Sequence, residues 1–170
     1  MNRRFLIAIP CVLVLMLAVA AGAGRIGVFK VYMSGDQEVA PINNAFIGRF
    51  GIAFDDDLAG ADVNLTVFAA NVIGAHLHCG RAGTNGPIIV NLLNGPLIGS
   101  PQDALGRIGR SSITNADIIP KTAEECGGMP INNIASLFAA MMADNVYVNA
   151  HTSAFPGGAL RAQFFGELVE

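Results

Sequence analysis

Two short segments hold all three histidines of this 170-residue chain. His76 and His78 lie in the first segment, and His151 lies in the second. If the first segment is a strand, side chains two residues apart point to the same face, with their Cα atoms about 7 Å apart. Two imidazoles at that separation can bind one metal ion through bonds of about 2 Å. The His-x-His pair therefore predicts part of a metal site.

The second segment alternates so that His151 falls on a polar strand face. In the predicted strand 146–152, Tyr147, Asn149 and His151 share one face, while apolar residues occupy the other. We predict that His151 joins the His-x-His pair in a site for copper or zinc, the metals that neutral imidazoles suit well. The candidates for a fourth ligand, or for groups that support the ligands, are Glu38, Tyr147 and Asn149. The alternative is that the histidines are surface or hydrogen-bonded side chains without a metal.

The composition of the chain narrows the classes of partner. The length suggests one domain, 52% of the residues are hydrophobic and only 14% are charged. The net charge of −3 and the lack of a basic cluster in the sequence argue against nucleic acid as a partner. The low charged fraction fits a protein that presents apolar area to an envelope or matrix partner, or to further copies of itself.

The first 23 residues are typical of a secretory signal peptide. Arg3 and Arg4 precede an apolar run over 5–19, and small residues follow it at 18–23. We predict a cleaved signal peptide over 1–23 and a mature domain over 24–170, which is secreted, periplasmic or at the cell surface and has no membrane contact. The alternative is an uncleaved membrane anchor.

Cleavage would leave two of the three cysteines, Cys79 and Cys126. An even number of cysteines in an exported protein predicts a disulfide. The bridge would stabilise the fold by about 4 kcal/mol in the chain-entropy model. The alternative is that Cys79 ligates the metal as a thiolate. That alternative is disfavoured because Cys79 and Leu77 point away from the histidine face.

Short alternating segments separated by turns dominate the rest of the chain. They predict an all-β fold, an antiparallel Greek-key β-sandwich or barrel of superoxide-dismutase-like or immunoglobulin-like type. A single helix is predicted near 131–144 from the helical spacing of its apolar residues. The remaining predictions are strands over 27–33, 45–54, 61–68, 75–79, 87–93, 106–114 and 159–165, a link over 71–74 and a loop over 95–106.

Three sequence blocks resemble the CHRD domain, a module named after chordin and found in many secreted microbial proteins. The blocks are SGDQEV at 34–39 with Pro41 and Gly48, AHLHCG at 75–80 with Gly83 and NGP at 85–87, and YVNAHT at 147–152 with PGG at 156–158 and LR at 160–161. The resemblance implies a β-sandwich domain that works outside the cytoplasm. The family also has an arginine where this chain has Arg161, which we expect to hold a carboxylate or loop carbonyls through its donor fork; the alternative is simple surface exposure.

The sequence is compatible with three classes of function. The first is a secreted metal-binding module, and the second is a structural or interaction module that forms assemblies without metal. The third is a metal-dependent redox enzyme, because a His-x-His pair on a strand of a secreted sandwich is similar to the copper site of Cu/Zn superoxide dismutase. The further histidines and the bridging aspartate of that site have no evident counterparts, and no catalytic residue is predicted. We therefore rank the binding module first and the enzyme last.

Overall fold

The computed structural model describes residues 24–93 and 101–166. The predicted signal peptide and residues 95–100 of the predicted 95–106 loop lie outside the described residues. The elements are the strands β1 (Arg25–Met33), β2 (Ile47–Asp55), β3 (Gly60–Cys79), β4 (Ile88–Asn91), β5 (Gln102–Ile108), β6 (Ser112–Thr114), β7 (Val146–Thr152) and β8 (Leu160–Gln163), the helix α1 (Ile134–Met142), and two 3-10 turns at Gly35–Gln37 and Asn115–Asp117. Among the described residues, no helix combines the length and the apolar character needed to cross a bilayer.

The strands form one antiparallel sheet around β3, which confirms the all-β prediction. The sheet order is β1-β2-β3-β7-β8, and β4, β5 and β6 also pair with β3. Ser34, directly after β1, and Arg161 of β8 exchange backbone hydrogen bonds of 3.1 and 3.0 Å. This bridge brings the two ends of the sheet together, so that the sheet nearly closes into a barrel.

The predicted link at 71–74 is wrong, because β3 runs without interruption for 20 residues. The register of β3 shifts against β5 between Ala69 and Val72, and against β7 between Val72 and Gly74. Asn71 has a φ of 53°, in the left-handed region that asparagine tolerates better than most residues. Such bulges bend a strand without ending its pairing. β3 therefore pairs with β2 and β6 in its first half, with β5 across its middle, and with β4 and β7 in its second half.

The predicted loop at 95–106 is also wrong at its end, since β5 begins at Gln102. This strand pairs with the middle of β3, from Leu65 to Val72. Most of its side chains are exposed, and Gly106 interrupts its pattern. A strand with so little buried surface lacks the alternation on which a sequence-based prediction depends.

The helix lies within its predicted range but is shorter at both ends. Asn133 caps the first turn by accepting a hydrogen bond from Ser136 N at 2.8 Å. Ile134 and Leu137 are buried as the stripe predicted, whereas Met142 is exposed. The helix adds Phe138 to an aromatic cluster in the core. The other rings of this cluster are Phe29, Phe50, Phe54 and Phe164.

Cys79 and Cys126 form the predicted disulfide, with their Cα atoms 5.4 Å apart. Both side chains are buried on the core side of the sheet, together with Leu77. The thiolate-ligand alternative for Cys79 is therefore wrong. The bridge ties the last residue of β3, next to His78, to the irregular segment before α1.

Candidate metal centre

The three histidines meet on one face of the sheet. His76, His78 and His151 each offer a ring nitrogen, and these three atoms lie within 4.8 Å of one another. The centroids of the His76 and His151 rings are 4.9 Å apart, and those of His76 and His78 are 5.6 Å apart. The pairing of neighbouring strands and the alternation within each strand thus bring together the three histidines that were predicted from the sequence as metal ligands.

The pairing of β3 with β7 explains why the rings meet. His151 lies directly across from Gly74, and His76 lies across from Asn149, so the two histidines are diagonal neighbours. A Cβ on Gly74 would lie 3.1 Å from His76 Cε1 and 3.8 Å from His151 Cδ2. Gly74 therefore provides the space in which the rings converge. The sequence analysis places this glycine in the link predicted over 71–74.

Backbone carbonyls orient two of the three imidazoles. His78 Nδ1 donates to Gly86 O at 2.9 Å, and His151 Nδ1 donates to Pro156 O at 3.0 Å. Each ring therefore carries its proton on Nδ1 and presents the lone pair of Nε2. Metal-ligating histidines are commonly oriented in this way through the second ring nitrogen.

Two nitrogens of the cluster have the environment of metal ligands. His78 Nε2 is buried and has no hydrogen-bond partner. His76 Nδ1 lies 3.1 Å from His151 Nε2. Two nitrogens bound to one tetrahedral ion at bonds of 2.0–2.1 Å are about 3.3 Å apart, close to this separation. Without a metal, the same distance allows His76 to donate a hydrogen bond to His151.

The cluster holds its imidazoles in the neutral form that coordinates metal. Burial lowers the pKa of His76 to about 4, with help from the charges of His151 and His78. Burial also lowers the pKa of His78 to about 4, although its bond to Gly86 opposes this. The pKa of His151 is lowered by burial as well. Protons therefore compete poorly for these nitrogens near neutral pH.

Arg161 does not lie on the surface, so the exposure alternative is wrong. Its side chain is 1% exposed, and its guanidinium donates to the carbonyls of Thr84 at 3.0 Å and Arg81 at 3.4 Å and to Asn85 Oδ1 at 3.2 Å. The predicted contact with loop carbonyls is thus present. Arg161 holds the loop 80–87 against the sheet, the loop whose Gly86 orients His78.

Tyr147 links Arg161 to the histidine cluster. The Arg161 guanidinium lies 3.4 Å from the centroid of the Tyr147 ring, a cation–π contact. The opposite partner is the His78 ring, which stacks on Tyr147 at 4.8 Å with an interplanar angle of 8°. The Tyr147 hydroxyl accepts from Gly86 N at 3.1 Å. Tyr147 supports the His78 ring by stacking and holds the loop through its hydroxyl.

Asn149 and Glu38 form a buried polar pair beside the cluster. Asn149 Nδ2 donates to Glu38 Oε1 at 2.8 Å, and the Glu38 side chain packs against Gly158, where a Cβ would lie 2.7 Å from Oε1. Burial raises the pKa of Glu38, opposed by the bond from Asn149 and by the charge of Arg161. Glu38 is not among the converging ligand atoms. Tyr147 and Asn149 are both buried, so this polar part of β7 is not exposed to solvent.

Gly86 is a second glycine whose role the sequence did not reveal. A Cβ at this position would lie 1.6 Å from Cys79 O, so no other residue fits without moving the loop. An Asn-Gly pair favours a turn, but this pattern does not indicate that the glycine carbonyl orients His78. This contact depends on the approach of the loop to the end of β3.

The fold and the cluster define a compact antiparallel β domain with three neutral imidazoles converging beside a buried arginine. The CHRD domain family matches residues 29–164, which is most of the chain, and the chain belongs to this family. No curated protein and no solved structure matches the chain.

Proposed function

We propose that this protein is an exported metal-binding module that holds copper or zinc through His76, His78 and His151. The observation that carries the proposal is the buried Nε2 of His78, which has no partner in a cluster of neutral imidazoles. A buried polar atom without a hydrogen bond destabilises the fold by about 1–3 kcal/mol unless it is otherwise satisfied. A metal ion would satisfy this nitrogen and those of the other two histidines together.

The choice of copper or zinc follows from the donor set. Three imidazoles suit zinc and copper better than magnesium or calcium, which prefer oxygen ligands. Three protein ligands leave a fourth position for water or for a group from a partner. In this proposal Glu38 is not the fourth ligand. It is a supporting group that accepts a hydrogen bond from Asn149.

Export to an oxidising compartment completes the proposal. The Cys79–Cys126 disulfide supports it, because disulfides persist mainly in such compartments. The basic and apolar order of the first 23 residues supports it as well. The domain is then secreted, periplasmic or at the cell surface, and the mass of the exported protein is expected to correspond to a chain without residues 1–23.

Titration calorimetry of the purified protein tests metal binding. Zinc(II) and copper(II) are each expected to bind with one ion per chain. Single substitutions of His76, His78 or His151 by alanine are expected to weaken binding about tenfold or more, since each removes a ligand. Asn64→Ala, on the exposed part of β3, is the matched control and is expected to bind as the wild type does.

The pH range of binding separates this site from exposed histidines. Because His76 and His78 titrate at about 4, affinity is expected to persist well below the ordinary histidine pKa of about 6.5. Binding that weakens as pH falls through 6.5 would instead indicate surface histidines. If the wild type binds neither metal better than the triple alanine variant, the module binds no metal at this cluster.

A further inference from the structure

A row of exposed apolar side chains crosses three strands, well away from the histidines. Ile47 of β2 pairs with Phe68 of β3, and Phe68 pairs with Leu105 of β5. Their exposed fractions are 59%, 44% and 81%. Tyr32 of β1, 76% exposed, lies beside the row. We call these four residues the apolar row.

A shallow cavity lies beside the apolar row. The cavity there is lined by Tyr32, Met33, Ile47, Gly48 and Phe68, among others. The row thus has a shallow apolar slot at its base as well as protruding side chains.

Three cations border the apolar row on the same face. Arg49 and Arg107 both pair with Thr66, which lies two residues from Phe68 and hence on the same face. Lys30 lies on the neighbouring β1. All three are exposed. The ion pairs of the described residues involve Arg25, Arg110 and Lys121 instead. Asp103 also lies on this face, two residues from Leu105, so the border of the apolar row carries a smaller but still net positive charge, in a chain whose net charge is −3.

We propose that this face docks the protein on an anionic lipid surface. Protruding apolar side chains enter the boundary between headgroups and acyl chains, and neighbouring cations attract anionic headgroups. Both signals are present here, and stable association with a membrane takes two such signals. The site is distinct from the metal centre, and it replaces the sequence-based expectation that the exported domain has no membrane contact.

The size and charge of the face favour lipid over a protein partner. A stable protein interface buries about 800 Å² on each side, more than four side chains supply. A second copy docking through the same face would place Arg49 and Arg107 of one copy against those of the other. A lipid surface does not need a complementary shape. Its anionic headgroups can pair with the three cations, which form no ion pair among the described residues.

Sedimentation of the purified protein with vesicles tests this proposal. The probes are vesicles of phosphatidylcholine alone and of phosphatidylcholine mixed with phosphatidylglycerol. The protein is expected to partition more strongly onto the mixed vesicles, and less so as salt is raised. Arg49→Gln with Arg107→Gln is expected to lower that partition coefficient about 25-fold, since each lost cation costs about fivefold. Leu105→Ser is expected to lower it further.

Two exposed side chains outside this face provide matched controls. Arg81→Gln and Phe165→Ser remove a cation and an apolar side chain without touching the apolar row, and both are expected to partition as the wild type does. Any contribution from residues 1–23 is the same in every variant. Equal partition onto the two kinds of vesicle, or equal losses in variants and controls, would overturn the proposal. So would a concentration-dependent dimer that Leu105→Ser disrupts without vesicle binding, since the face would then be a protein interface.

Discussion

Gly74 lies directly across from His151 in the β3–β7 pair, and its missing Cβ leaves the space in which the rings of His76 and His151 meet. A methyl group here would lie 3.1 Å from His76 Cε1, tighter than ordinary contact. The ring would have to move by a few tenths of an ångström. The geometry of the candidate metal centre thus depends on a residue that contributes no ligand atom.

Gly74→Ala is accordingly expected to weaken zinc or copper binding about tenfold, because it displaces ligands that the fold otherwise fixes. Gly51→Ala is the matched control. Gly51 also lies within a strand, but its added Cβ would come no closer than 3.8 Å to any atom. Titration calorimetry compares the two variants. Equal metal affinity in both would show that the His76 ring moves without consequence.

Arg161→Met is expected to destabilise the protein by about 3 kcal/mol, because the carbonyls of Arg81 and Thr84 would lose their donor beside the sheet. Arg107→Met removes an exposed arginine and is expected to change stability by less than about 0.5 kcal/mol. Urea unfolding of both variants measures the difference. Similar midpoints for the two would mean that Arg161 does not hold the loop 80–87.

The stability of the metal-free protein is expected to fall as pH decreases from about 6.5 towards 4. His76 and His78 have a folded pKa of about 4, whereas the ordinary value that applies to an unfolded chain is about 6.5. Between these values the unfolded chain binds more protons, so stability rises with pH across the window and is complete above it. Below about 4 the folded protein is protonated too, and this contribution is lost.

Urea unfolding at a series of pH values, with chelator present, checks this dependence. The double variant His76→Gln with His78→Gln is expected to lose most of the slope between pH 4 and 6.5, since neither glutamine titrates. The carboxylates still titrate near the lower end of the window in both proteins. An unchanged slope in the double variant would assign the pH dependence to those groups instead.

Replacing both Cys79 and Cys126 by serine is expected to lower the free energy of unfolding by about 4 kcal/mol, the chain-entropy value for a loop of this length. The disulfide spans 47 residues of sequence and is buried at both ends. Thermal unfolding of the variant, compared with that of the oxidised wild type, measures the loss. A reductant breaks the disulfide in the unfolded chain. If the unfolding of the wild type is unchanged by a reductant, this expectation is wrong.

Strand alternation predicted much of the site. It placed His76 and His78 on one face, Leu77 and Cys79 on the other, and His151 with Tyr147 and Asn149. These assignments depend only on the period of a strand, which is a local property. The same rule failed at the bulges of β3, where Asn71 and Gly74 are turn-formers in sequence but continue the pairing in the fold.

Contacts between distant segments could not be derived in this way. The burial of Tyr147 and Asn149 depends on Arg161, on Glu38 and on the loop 80–87, which approach β7 only in the folded chain. The need for glycine at positions 74 and 86 arises from atoms on neighbouring segments. The first part of β5, over 102–105, was missed because it buries little surface, and its pairing with β3 defines it instead.

The buried guanidinium of Arg161 influences which net charge is favourable for a group that binds at the histidine cluster. Its positive charge reaches His78 through the stacked Tyr147 ring and contributes to the low pKa of that imidazole. The same repulsion would act on a metal ion in the proposed site. A monovalent copper ion, or a divalent ion whose fourth position carries an anion such as hydroxide or chloride, would meet less of this repulsion than a bare divalent ion. If the cluster binds metal as proposed, Arg161 therefore favours an ion of low net charge.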